Sequence, residues 1–170
     1  PMPGARKDMP AVAYGGKAYV MGGTNGPALT ANEAYDPVSN LWVTRAAMPT
    51  ARSHPLAALL GGKAHVIGGD GTGSNLVHEA YDPEADTWTT RLALPTTRSY
   101  FAAAAAGGVM YAVGGYQGPS TAYSTNEEYD PGANTWLGKA ALPTAREGLA
   151  AAALGGKVYA LGGNNAGYLT

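Results

Sequence analysis

From His54 to Leu60 the chain is a short, largely apolar run, and Gly61-Gly62-Lys63 closes it. Ala64-His65-Val66-Ile67 follows as a second run, ended by Gly68-Gly69. Asp70 to Asn75 is polar and Gly-rich, which reads as a loop. Leu76 to Tyr81 then alternates, Asp82-Pro83-Glu84-Ala85-Asp86 carries turn chemistry, and Thr87 to Leu92 is a fourth run before Pro95. Short runs separated by turn signals predict antiparallel strands rather than helices. Gly supplies the positive φ that such turns need, and Pro behind Asp fixes the third turn.

The same pattern recurs along the chain. Gly-Gly doublets stand at Gly15, Gly22, Gly61, Gly68, Gly107, Gly114, Gly155 and Gly162, seven residues apart within each pair. Successive pairs are offset by 46, 46 and 48 residues. Tyr-Asp-Pro recurs at Tyr35, Tyr81 and Tyr129, with Trp42, Trp88 and Trp136 each seven residues later. Met48-Pro49, Leu94-Pro95 and Leu142-Pro143 follow, each with an arginine three residues past its proline: Arg52, Arg98 and Arg146. Met2-Pro3 and Arg6 keep the same frame. The repeat units are 2–47, 48–93, 94–141 and 142–170, and the fourth ends after its first two strands. The two extra residues of the third unit fall between Gly115 and Tyr129, where a loop is expected.

Ala102 to Ala106 and Ala150 to Ala153 favour helix by intrinsic propensity. Each run is cut by a Gly-Gly doublet too soon for a stable helix. They are read instead as first strands in a place where neighbouring sheets crowd and only small side chains fit. Four-stranded sheets repeated without helices are blades of a β-propeller. The pattern Gly22-Gly23…Tyr35-Asp36-Pro37…Trp42, with its counterparts from Gly68 and Gly114, resembles the kelch repeats. The expected fold is therefore all-β: kelch-type propeller blades of four antiparallel strands. Dividing 170 residues by 46 gives about 3.7 blades, an incomplete ring. A piece of a longer domain, of six or seven blades by the resemblance, is the favoured account. Copies completing a ring or stacking through open blade ends are the other.

Composition narrows function by exclusion. The 25 Gly and 12 Pro are the punctuation of many short strands. Eleven Lys plus Arg against twelve Asp plus Glu leave no basic excess for nucleic acid or an anionic membrane surface. No apolar run reaches the roughly 20 residues of a membrane span. There is no Cys, so disulfides, thiolate metal sites and Cys nucleophiles are ruled out for these residues. The compartment is not readable, although few lysines and Ser/Thr/Asn/Gly loops lean toward a bacterial extracellular or periplasmic setting.

Positions repeated in every unit first suggest framework, and positions that vary suggest recognition. The arginines admit both readings. Each pairs with a repeated Glu (Glu33, Glu79, Glu127) or with carbonyls, or the set rings a channel mouth and captures carboxylates. The resemblance to adaptor-type kelch domains implies acidic-peptide contact at Arg52-Ser53 and Arg98-Ser99. At Arg146-Glu147 only the arginine matches, and Glu147 would repel an anion. The loops after the second doublets, holding Asn25, Asp70, Tyr116 and Gln117, are the other candidates, and Tyr123 joins them through the longer third loop. Tyr with Ser, Asn and Gln is recognition-surface chemistry. Solvated turn tips are the plainer alternative.

Catalytic sets are thin. Asp70-x-Thr72-x-Ser74 places Tyr81 where a calcium loop needs Glu. His65 stands where Tyr19, Tyr111 and Tyr159 stand, which reads as packing, and His54 and His78 show no metal spacing. The expectation is a non-catalytic binding or scaffold module without cofactor, engaging a protein, peptide or glycan. A self-associating array, or part of a carbohydrate-active propeller enzyme such as a sugar mutarotase, are the alternatives.

Overall fold

A computed structural model describes residues 1–71, 76–117 and 121–165. Regular structure among these residues is all β. The chain forms two compact units, Pro1–Ala93 and Leu94–Thr170.

In the first unit, β1 (Ala11–Tyr14), β2 (Lys17–Met21), β3 (Asn32–Asp36) and β4 (Leu41–Thr44) form one antiparallel sheet in chain order. A second sheet repeats that order with β5 (Leu56–Leu60), β6 (Lys63–Ile67), β7 (His78–Asp82) and β8 (Thr87–Thr90). The second unit opens with β9 (Ala102–Ala106) and β10 (Val109–Val113), then a short ribbon of β11 (Tyr116–Gln117) and β12 (Thr121–Ala122). β13 (Asn126–Asp130) and β14 (Thr135–Gly138) complete a third four-stranded sheet on β9 and β10. β15 (Ala150–Leu154) pairs with β16 (Lys157–Leu161). Two details depart from the sequence expectation. The long third loop makes a ribbon, and β5 begins at Leu56 because His54 is left-handed (φ 50°) and Pro55 follows.

The turns explain the strand spacing. Tyr14 pairs with Lys17, leaving Gly15-Gly16 as a two-residue loop with φ of 56° and 74°. Two positive φ values make a type I′ turn, whose twist matches the strands it joins. In the third turn, Asp36 Oδ1 accepts the Val38 and Ser39 amides, and Asp82 and Asp130 do the same in their sheets. Asn40, Asp86 and Asn134 end these turns left-handed and accept the Tyr35, Tyr81 and Tyr129 hydroxyls at 2.7–2.9 Å. The tyrosines face their tryptophans across β3/β4, β7/β8 and β13/β14, ring centroids 5.0–5.1 Å apart. Such pairs stabilise a sheet beyond the area they bury.

First strands converge within each unit: β1 lies against β5, and β9 against β15. Ala102 and Ala104 are buried there, so the alanine run is an inner strand where bulk is excluded. The core of the first unit gathers Val12, Tyr19, Met21, Ala34, Met48, Ala64, Val66 and Tyr81.

Candidate functional site: the rim above the arginines

The second Gly-Gly of each repeat brings the chain before the first strand close to the end of the second. A Cβ on Gly69 would stand 2.8 Å from Ser53 O, and one on Gly115 2.8 Å from Ser99 O. With that approach open, the residue after each arginine pairs with the residue after each doublet: Lys7 with Thr24, Ser53 with Asp70, Ser99 with Tyr116, Glu147 with Asn164. The next residue is left-handed in all four repeats: Asp8 (φ 60°), His54 (50°), Tyr100 (52°) and Gly148 (60°). His54 N–H donates to Asp8 O, and Gly148 N–H to Tyr100 O, both at 2.8 Å. Asp8 and His54 with Asn25 form a rim on the first unit, and Tyr100 and Gly148 with Gln117 and Tyr123 form a rim on the second.

Beneath it the arginines are occupied. Arg52 Nη2 meets Glu79 Oε2 at 2.5 Å, and its Nη1 donates to the carbonyls of Val66, Gly68 and Val77 at 3.1–3.3 Å. Arg98 Nη2 meets Glu127 Oε2 at 2.8 Å and donates to Ala112 O, with its guanidinium 5.5 Å from the Phe101 ring centre. Arg6 pairs with Glu33 in the same way. Thr50 and Thr96 donate to the other carboxylate oxygen of Glu79 and Glu127. Burial pushes the Arg52 and Arg98 guanidiniums down from the usual arginine value, and their glutamates oppose that push. Both side chains are fully buried, so neither offers a face to a ligand, and carboxylate capture at Arg52 and Arg98 is corrected to a framework role. Arg146 differs. It is partly exposed, donates to the carbonyls of Thr144 and Gly162, and makes no ion pair among the described residues.

The other candidate residues lie on the rim. Asn25 and Gln117 are exposed, and Ser53, Asp70, Ser99, Tyr116 and Tyr123 half-buried. Tyr123 O–H donates to Gln117 Oε1 at 2.8 Å. Thr72 and Ser74, weighed for calcium, fall outside the described residues, as do 118–120 and 166–170. Three rim residues escaped sequence reasoning: Asp8, His54 and Tyr100. Their signal was present as a repeat position that changes type from Asp to His to Tyr to Gly. In the first unit, His54 Nδ1 stands 3.3 Å from Asp70 Oδ2 and its Nε2 3.5 Å from Asp8 Oδ2. In the second, the Tyr100 and Tyr116 rings stack at 5.5 Å, tilted by 48°.

His65 Nδ1 and His78 Nε2 are 2.8 Å apart in the buried centre of the second sheet. His78 Nδ1 also faces Leu92 O at 3.2 Å, where Asn32 and Asn126 donate to Ala46 O and Ala140 O. The His78 Nδ1 proton therefore goes to the carbonyl, and His65 donates to His78 Nε2. Burial, then the nearby Arg91 and Lys63, hold His65 down at about 4. Burial and then His65 hold His78 at about 3. The pair is neutral core, and no group of three or more His, Asp or Glu among the described residues is placed to hold a metal.

Four-stranded antiparallel sheets in chain order, with inner first strands converging, define β-propeller blades. The chain belongs to the kelch-motif family, whose motif matches residues 5–49 and 97–137, about half of the chain. The solved structure of YjhT is similar in fold, with a TM-score of 0.80 and 19% sequence identity over 95% of this chain. This chain spans 60% of that structure's length. No curated protein matches the sequence. At this level the fold supports a binding or scaffold module.

Proposed function

We propose that this chain is a non-catalytic binding module whose rim engages a protein, peptide or glycan. One observation carries the reading: all four repeats share one lead-in backbone pairing and three of them bury an arginine–glutamate pair beneath it, while the rim residues above differ from repeat to repeat. A constant frame with variable outward side chains is how scaffolds serve recognition. Probing peptide and glycan arrays with the chain tests this. The expected outcome is a ligand whose capture is lost with Tyr116→Ala or Gln117→Ala. Capture indifferent to every rim substitution, or sugar turnover that rim substitutions abolish, contradicts it.

Self-association is a second reading, favoured by the apolar exposure of Leu154, Tyr159 and Leu161 on β15 and β16. Light scattering at high concentration decides it, since a persistent monomer removes it.

A further inference from the structure

We infer that the rim of the second unit receives a cationic side chain, Arg or Lys, presented by an extended peptide. Tyr100 and Tyr116 form the aromatic face and Glu147 the counter-charge. This rests on the rim reading above and adds the sign of the ligand's charge, opposite to the acidic peptides that the arginines first suggested.

Tyr100 is a bulky residue held left-handed at φ 52°, a conformation that strains side chains of its size. The same repeat position in the next blade is Gly148, which takes that backbone without strain. Away from the rim, the left-handed non-glycine positions are Asn40, Asp86 and Asn134, residue types that tolerate it and accept a tyrosine hydroxyl in return. Tyr100 instead keeps half of its surface in solvent, its ring against Tyr116. Backbone strain held at an exposed aromatic points to use by a partner.

Glu147 gives the charge. It directly precedes Gly148, whose N–H is bonded to Tyr100 O. Its carboxylate has no hydrogen bond or ion pair among the described residues. Of the cations nearby, Arg98 is charge-paired with Glu127, and Arg146 commits its Nε and Nη1 to the carbonyls of Thr144 and Gly162 without an ion pair among the described residues. An anion entering here meets Glu147, whereas a guanidinium or ammonium meets π faces and an open carboxylate. Taken by itself, the rim of the first unit has Asp8 and Asp70 on either side of His54, with Lys7 3.6 Å from Asp8, so carboxylates outnumber the one lysine there.

The test titrates the full chain, by NMR, with a glycine-flanked arginine peptide, its neutral citrulline counterpart and a glutamate peptide. The arginine peptide should shift the Tyr100 and Tyr116 ring signals. Citrulline should bind about fivefold more weakly, and Tyr100→Gly should weaken the arginine peptide about fivefold. Thermal melting checks that Tyr100→Gly stays folded, which is the expected result because the change relieves strain. Glu147→Gln should weaken binding and flatten its salt dependence. Equal or tighter binding of the glutamate peptide, or arginine affinity unchanged in both variants, overturns the inference. An anionic array ligand lost with Tyr116→Ala also overturns it while the rim reading stands. If neither the array nor the arginine peptide yields a rim ligand, both fall.

Discussion

Arg52 and His54 stand two residues apart and live in opposite environments. The guanidinium is buried, paired with Glu79 and bonded to three carbonyls. The imidazole is exposed between two carboxylates on a left-handed backbone. The first position is arginine in every repeat, and the second changes each time. A group whose partners are all internal is constrained by the blade, and a group facing solvent is free to serve a ligand.

The sharpest way to break this contrast is to remove a framework arginine. Arg52→Ala leaves Glu79 buried without its partner and should cost about 3–5 kcal/mol of stability in denaturant unfolding. Arg146→Ala, where no ion pair is lost, should cost about 1 kcal/mol or less. Equal losses would remove the distinction between the buried pairs and the partly exposed arginine.

Acid probes the framework next. His65 and His78 are held well below their unfolded value near 6.5, so the unfolded chain binds more protons between the two. Stability should therefore be full above pH 6.5 and fall as the pH drops toward about 4, with His65 alone contributing roughly 3 kcal/mol. Replacing the pair with the residues other repeats carry, His65→Tyr with His78→Asn, should flatten that dependence. An unchanged acid profile in the double variant would place the sensitivity elsewhere.

Smaller effects test the join between frame and rim. Gly115→Ala puts a Cβ against Ser99 O on a left-handed backbone and should cost about 2 kcal/mol. Tyr100→Gly should leave thermal stability unchanged or raise it by up to about 1 kcal/mol. A large loss there would make Tyr100 framework.

Much of the frame was legible because turn chemistry repeats with it. Gly15-Gly16 and Asp36-Pro37 announce their turns locally, and Trp42 follows Tyr35 at the distance the hairpin requires. The glutamate partners of the arginines were also readable as one of two options, since Glu33, Glu79 and Glu127 share the frame. The His65–His78 contact was not, because it runs diagonally between β6 and β7 and depends on their register. Nor was the rim backbone legible. Only Gly148 signals a left-handed residue there, and Asp8, His54 and Tyr100 adopt it because the bonded lead-in strand imposes it.

The most direct test is the affinity of the Tyr100→Gly chain for the arginine peptide, measured beside the parent. The predicted result is binding about fivefold weaker with melting unchanged or higher. Undiminished affinity, with the variant folded, would contradict a rim that reads its ligand through this residue.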